Sequence, residues 1–279
     1  MRRVRRLLLN CGWVYLCFVA VIALLQRKLL YFPTREPEHV LLARAETFGF
    51  EPWRGAEGGI IGWTKRPGPG GDAARNLVVF HGNAGHALHR EDYAHAFENL
   101  GGRSQWKVWL FEYPGYGARA GSPGRESFAD AGRTAIAQLR ARDSRPVYLL
   151  GESLGTGVAA DLAADQSTGV AGLVLVTPFA RLTDVAQMHF PFLPVKWILR
   201  DRWDNVAALA GFGGPKAVII AGRDEVLGAA QGETLFEKIP EPKRRWLFPD
   251  ATHNDPEIHG AGWAAEVSTF LFAPAGIKP

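Results

Sequence analysis

Three residues of the types needed for nucleophilic acyl transfer occur in the order serine, aspartate, histidine, each after a short apolar run. Ser153 lies in Gly151-Glu152-Ser153-Leu154-Gly155, a G-x-S-x-G pentapeptide entered from Val147-Tyr148-Leu149-Leu150. That pattern reads as a strand delivering a serine onto a tight turn that opens a helix, where glycines two residues to either side relieve the crowding. Asp224 follows Ala217-Val218-Ile219-Ile220-Ala221-Gly222, and His253 follows Arg245-Trp246-Leu247-Phe248. Singly, each has a plainer reading: a solvated turn serine, a turn aspartate, a surface-loop histidine. Three in series at the ends of strand-like runs point instead to a catalytic set.

The chemistry explains the choice of side chains. A serine hydroxyl must lose its proton as it attacks, and an imidazole, with a reference pKa of about 6.5, can take that proton and return it to the leaving group. A carboxylate behind the imidazole sets its tautomer and stabilises the imidazolium. A fourth run, Asn76-Leu77-Val78-Val79-Phe80, enters the small-residue loop His81-Gly82-Asn83-Ala84-Gly85. Such a loop can offer a backbone N–H to a developing oxyanion. We assign that role to Asn83, with Leu154, the residue after the nucleophile, as second donor. The loop has neither G-x-x-x-x-G-K-[ST] nor G-x-G-x-x-G spacing, which sets aside a phosphate-binding reading.

Other segments continue the pattern: Lys28-Leu29-Leu30-Tyr31-Phe32-Pro33, Glu112-Tyr113-Pro114-Gly115-Tyr116-Gly117, Gly121-Ser122-Pro123, Thr177-Pro178-Phe179, Gly222-Arg223-Asp224 and His253-Asn254-Asp255. With the loop at His81 and the turn at Ser153 they span nearly the whole chain. In this order they resemble the α/β-hydrolase superfamily, and more narrowly its membrane-anchored α/β-hydrolase-domain-containing serine hydrolases. Two positions depart from the family pattern: Thr252 stands before the histidine where glycine is usual, and Glu112 where aspartate is common. Neither removes a catalytic atom. The resemblance implies an α/β fold with a mostly parallel central sheet flanked by helices and an N-terminal transmembrane helix.

The elements that must position these residues are legible in outline. Residues 45–50 and 59–63 read as early strands forming an antiparallel edge. Residues 77–80, 106–111, 147–150, 173–176, 217–221 and 246–248 read as the main strands, with helices near 87–100, 126–141, 154–165, 229–238 and 261–272. Strands alternating with helices of ten or more residues imply βαβ units and a parallel sheet, and continuous apolar strands fit burial on both faces. The proposed catalytic groups fall after strand C-termini, where open α/β sheets place their ligands. The stretch 66–72, rich in Pro and Gly, reads as a loop insertion. Residues 178–204 form the main excursion between strands. Most of their aromatics read as packing inward, and the segment as a small cap over Ser153 whose apolar face contacts an acyl chain.

The chain has 279 residues, 47% of them hydrophobic, which suits a single α/β domain with a large core. Residues 7–25 form an apolar run interrupted only by Asn10 and Gly12, preceded by four arginines and followed by Gln26-Arg27-Lys28. That is close to the ~20 residues that cross a bilayer core. No A-x-A-like cleavage site follows, so residues 1–28 read as an uncleaved signal anchor and 29–279 as the catalytic domain. The excess of positive charge before the run places the N-terminus in the cytoplasm and the catalytic domain on the periplasmic, lumenal or extracellular side. The anchor carries six basic residues and no acid; removing them from the formal +4 leaves −2, so nucleic acid is not an expected partner. Both cysteines, Cys11 and Cys17, lie in the anchor, and no disulfide or cysteine metal site is expected in the domain.

His86, His89 and His95 raise a metal reading, since the first two are at helical spacing. No carboxylate is placed with them by the sequence, and they read as solvent-facing helix histidines. No cofactor is needed by a triad that supplies acid, base and nucleophile. The sequence therefore points to a membrane-anchored serine hydrolase that cleaves carboxylic ester or thioester bonds of lipid-like or acylated substrates through an acyl-enzyme. A serine peptidase on the same triad is one alternative, and a non-catalytic membrane-tethered binding module another.

Overall fold

The computed structural model describes residues 2–66, 73–100 and 106–272. The loop expected over 66–72 lies, but for Arg66, outside the described residues. In chain order the elements are α1 (Arg2–Leu30), β1 (Phe32–Pro33), α2 (Glu38–Thr47), β2 (Phe50–Arg54), β3 (Ile60–Lys65), β4 (Arg75–Phe80), β5 (Ala84–Gly85), α3 (Glu91–Glu98) and β6 (Trp106–Phe111). There follow α4 (Arg125–Arg142), β7 (Val147–Glu152), α5 (Leu154–Ala164), β8 (Val170–Val176), α6 (Leu182–His189), α7 (Val195–Ile198) and α8 (Asn205–Leu209). The last are β9 (Lys216–Ala221), α9 (Ala229–Lys238), β10 (Lys243–Phe248), α10 (Pro256–His259) and α11 (Ala264–Phe272).

Eight strands form one sheet in the order β10-β9-β8-β7-β4-β6-β3-β2. The six from β10 to β6 run parallel, and β3 and β2 add the antiparallel edge. The interior parallel strands β4, β7, β8 and β9 are apolar over most of their length because successive side chains point to opposite faces and both faces are covered, whereas the edge strand β10 carries Lys243, Arg244 and Arg245. Val78, Phe80, Leu149, Leu173, Leu175, Val218 and Ile220 enter one core with α4, α5 and α9. Leu77, Val79, Leu150, Val174, Val176, Ala217 and Ile219 enter the other, with α2, α3 and α11. This is the fold class the sequence points to.

One element departs from expectation. Residues 45–47 belong to the end of α2, and the edge strand starts only at Phe50, after Gly49 turns the chain at φ 74°. Leu41 and Ala45, one helical turn apart, pack beneath the sheet edge, so the apolar spacing at Ala45 is helical.

The chain leaves β4 toward β6 on one side of the sheet and returns past it to β7 on the other. The loops after β4 and β7 therefore diverge at the strands' C-terminal ends, which opens a crevice there. Close packing of α5 on β4 makes the junction intolerant of bulk: a Cβ on Gly155 would collide with the Phe80 carbonyl. Replacing Gly155 with Ala is expected to cost about 3 kcal/mol or more, at the upper end of overpacking penalties, visible as a lowered melting temperature; an unchanged melting temperature would mean that α5 does not sit this close to β4.

Candidate active site

Ser153 ends β7 and precedes α5 with φ 50° and ψ −115°. A non-glycine residue in that region carries roughly 1–3 kcal/mol of strain and persists only where its surroundings hold it. Here Ser153 N–H donates to the Val176 carbonyl at 2.9 Å, extending the β7–β8 ladder, and the Thr156 N–H returns to the Ser153 carbonyl at 3.0 Å. Gly151 is required because a Cβ there would strike the backbone of Gly155 and Thr156. The result is a serine lifted off the sheet at the head of a helix, with the Leu154 N–H at the first helical position, where no carbonyl within the helix can accept it.

The other candidates converge on it. His253 Nε2 lies 3.0 Å from Ser153 Oγ, and His253 Nδ1 lies 2.8 Å from Asp224 Oδ2. Asp224 is held in turn by the N–H groups of Val226 and Leu227, which donate to Oδ1 at 2.9 and 2.7 Å. Burial alone would raise the Asp224 pKa, but the hydrogen bond and charge of His253 and the two backbone donors bring it below the usual carboxylate range. The three side chains come from the ends of β7, β9 and β10, so the parallel register of these strands sets their spacing.

Asn83 sits in the loop after β4 and its side chain is engaged through both its nitrogen and its oxygen. Its Nδ2 donates to the Leu30 carbonyl at 2.5 Å, and its Oδ1 accepts from the Phe32 N–H at 3.2 Å. Tyr116 Oη donates to the Asn83 carbonyl at 2.8 Å. The loop is thus tied to the end of α1 and to the β6–α4 connection through the Asn83 side chain and carbonyl.

A second layer escaped the sequence reading. Glu152, buried beside Ser153, receives the Arg90 guanidinium through Nε at 2.5 Å and Nη2 at 2.6 Å, and Tyr93 Oη at 3.3 Å. His259 joins from α10: Nδ1 is 3.5 Å from Glu152, while Nε2 reaches the His253 carbonyl at 3.0 Å. Burial opposes ionisation of Glu152, but Arg90 and His259 together hold it far below the ordinary carboxylate range. Burial likewise would lower the His259 pKa, yet the hydrogen bond and charge of Glu152 outweigh it and raise it. Arg90 has no motif of its own, but the Glu preceding the serine is a signal that a buried cation must lie nearby.

The reading of His86 needs correction, while His89 is exposed as expected. His86 is buried, and Glu36 brings a carboxylate to the pair, so that ligand atoms of Glu36, His86 and His89 lie within 4.8 Å of one another. Arg44 Nη1 sits among them, 3.1 Å from each imidazole Nε2 and 3.4 Å from Glu36. A guanidinium therefore fills the place a metal ion would take. Burial is the main reason that His86 falls to a pKa of about 4, which suits an acceptor facing Arg44.

The aromatics of the 178–204 excursion also divide differently from expectation. Phe179 and Trp203 are buried, while Phe190, Phe192 and Trp197 face outward, as does the apolar Met188. Proline at 191 and 194 breaks regular structure between α6 and α7, so no periodicity dictates the direction of these side chains.

A family model described as serine aminopeptidase, S33, matches residues 71–210. The uncharacterized protein Rv2307c of Mycobacterium tuberculosis is 34% identical over 239 residues, covering 84% of this chain and 82% of its own. Alpha/beta hydrolase domain-containing protein 17B of Homo sapiens is 29% identical over 192 residues, 68% of this chain and 64% of its own. Among solved structures, the Pyrococcus furiosus esterase Pf2001 aligns with a TM-score of 0.65 at 15% identity, covering 87% of this chain and 97% of that one, a likeness of fold.

The His259–Glu152 pair makes a signed prediction. A histidine with a raised folded pKa contributes stability that is fully present below its unfolded pKa of about 6.5 and is lost as pH rises through the folded value. His259→Gln should therefore destabilise most near pH 6 and progressively less toward pH 9, measured by denaturant unfolding of both proteins at each pH. A penalty that grows with pH would contradict the pairing.

Proposed function

This chain belongs to the α/β-hydrolase superfamily, and from that premise we propose that it is a membrane-anchored serine hydrolase that cleaves carboxylic esters or thioesters through an acyl-enzyme. The observation that carries the reading is the unbroken chain from Ser153 Oγ through His253, at 3.0 Å, to Asp224, at 2.8 Å. In this reading His253 Nε2 takes the Ser153 proton as Oγ attacks the acyl carbon, and the carbonyl electrons move onto oxygen. The backbone N–H groups of Leu154 and Asn83 stabilise that oxyanion. The imidazolium, stabilised by Asp224, then protonates the departing alkoxide or thiolate. Water repeats the sequence on the acyl-enzyme: His253 removes its proton, and the acid leaves as Ser153 recovers its own.

The reading of a lipid-like substrate class is supported by α1. Among the described residues it is the one helix long and apolar enough to cross a membrane, with mean hydropathy 2.3 in its most apolar window. A hydrolase tethered this way meets lipid-like esters or acylated molecules at the membrane surface. The arginines before the apolar run favour a cytoplasmic N-terminus and a catalytic domain on the periplasmic, lumenal or extracellular face. The description of the matching family favours a second reading, a peptidase on the same triad; relative turnover of matched ester and amide substrates separates the two.

Ser153→Ala and His253→Ala should each lower kcat for p-nitrophenyl esters by about 10⁴-fold or more, and Asp224→Asn by somewhat less, with melting temperatures near that of the parent protein. Retention of full turnover by Ser153→Ala would overturn the reading.

A further inference from the structure

The segment between α6 and α7, Phe190-Pro191-Phe192-Leu193-Pro194, combines two properties that conflict in water. Leu193 turns inward, but the other large side chains are apolar and outward: Phe192 is 87% exposed and Trp197, just beyond, 84% exposed, with Phe190 and Met188 beside them. Its backbone carbonyls, by contrast, are satisfied within the chain. Gln187 Nε2 lies 3.2 Å from each of the carbonyls of Phe190, Pro191 and Leu193. The Phe192 carbonyl accepts Tyr15 Oη at 2.8 Å, and the Pro194 carbonyl accepts the Trp197 N–H at 2.9 Å. The prolines have no N–H, and those of Phe190 and Leu193 donate to the carbonyls of Ala186 and Phe190. Only the Phe192 N–H has no acceptor among the described residues. In water, solvent would satisfy those carbonyls at no structural expense. Carbonyls satisfied within the chain lower the cost of taking the segment out of water, so that its exposed apolar side chains can favour transfer to lipid.

The segment's position agrees. Tyr15 lies within the apolar run of α1, eleven residues before Gln26, or about 16 Å along the helix. At the other end of the contact, Gln26 Nε2 donates to the Ile198 carbonyl at 3.0 Å, its Oε1 accepts the Arg200 N–H at 2.7 Å, and Arg27 pairs with Asp201 at 2.9 Å. The excursion is therefore pinned along α1 from the basic edge of the apolar run at Gln26-Arg27 inward to Tyr15. If α1 spans a bilayer, Phe192 lies at hydrocarbon depth, and any tilt of the helix lessens that depth without bringing the tip into water. Lys196, Arg200 and Arg202 are exposed near the tip, on stems long enough to reach headgroup phosphates.

We propose that Phe190, Phe192 and Trp197 form a wedge inserted into the acyl-chain region of the same bilayer that α1 crosses, making the domain a two-point membrane attachment. The proposal rests on the reading of α1 as a spanning helix and is independent of the Ser153 chemistry. The wedge lies close to the site: His189, at the end of α6, contacts the Val226 carbonyl at 2.7 Å, two residues from Asp224. An ester held in the bilayer thus lies beside the loop that carries the catalytic acid.

The test uses the full chain in phosphatidylcholine vesicles containing phosphatidylglycerol. In a Cys11→Ser, Cys17→Ser background, Phe192→Cys and separately Trp197→Cys carry an environment-sensitive fluorophore, with Glu237→Cys on α9 as the aqueous reference. A Cys11→Ser protein labelled at native Cys17 reports on α1. The expected result is quenching of the labels at 192 and 197 by acyl-chain nitroxide lipids, protection from aqueous iodide, and the opposite at 237. Iodide quenching at 192 and 197 with lipid quenching at 17 would overturn the wedge and leave the anchor standing. Loss of lipid quenching at 17 as well would overturn both. Protection from both quenchers, with crosslinking between copies, would place a second copy of the chain on this face and also overturn the proposal. None of these outcomes depends on whether Ser153 turns over ester.

Discussion

The junction between β7 and α5 is the constraint on which the rest of the structure depends. Ser153 occupies a positive φ that costs an ordinary residue stability, and it is held there by the sheet ladder behind it and the close approach of α5 to β4. That approach is possible only because residues 151 and 155 lack side chains. The same closeness brings the loop after β4 next to the serine, so the proposed nucleophile and both proposed oxyanion donors descend from one packing contact. His253 and Asp224 then need only strands in parallel register, with loops short enough to return to the same crevice.

Around this junction lies a polar layer that is unusually committed. Glu152, adjacent to the serine, would be costly as an isolated buried charge, and Arg90, Tyr93 and His259 offset that cost. Because His259 also contacts the His253 carbonyl, the ion pair doubles as a brace for the loop that presents the imidazole. On the opposite side Asn83 joins its loop to Leu30 and Phe32, so the end of α1 is part of the frame that positions the site. α1 and the domain are thus one mechanical unit, with Gln26 and Arg27 fastening the α6–α7 excursion to the same helix.

What could be read from the sequence is local. Ser153, Asp224 and His253 each follow an apolar run, so their placement at strand ends requires no knowledge of distant contacts, and alternation of strand and helix is enough to infer the sheet. What could not be read depends on pairing between segments far apart: Arg90 with Glu152 across 62 positions, Gln26 with Ile198 across 172. Glu36 reaches His86 only because β1 pairs with β5, a contact of two residues that no periodicity announces. Ala45 misleads because a short amphipathic helix tail and a strand start look alike over six residues. The outward Phe192 and Trp197 mislead because apolar residues suggest burial in protein, whereas the prolines at 191 and 194 leave no regular period to set which way these side chains face.

The most direct test of the account is stoichiometric reaction with a fluorophosphonate followed by intact-mass and peptide mapping of the full-length protein. An activated serine predicts one adduct per chain, on the peptide containing Ser153, abolished by His253→Ala. A folded protein that takes up no phosphonate, or takes it up at another residue while Ser153 stays unmodified, would contradict the central claim.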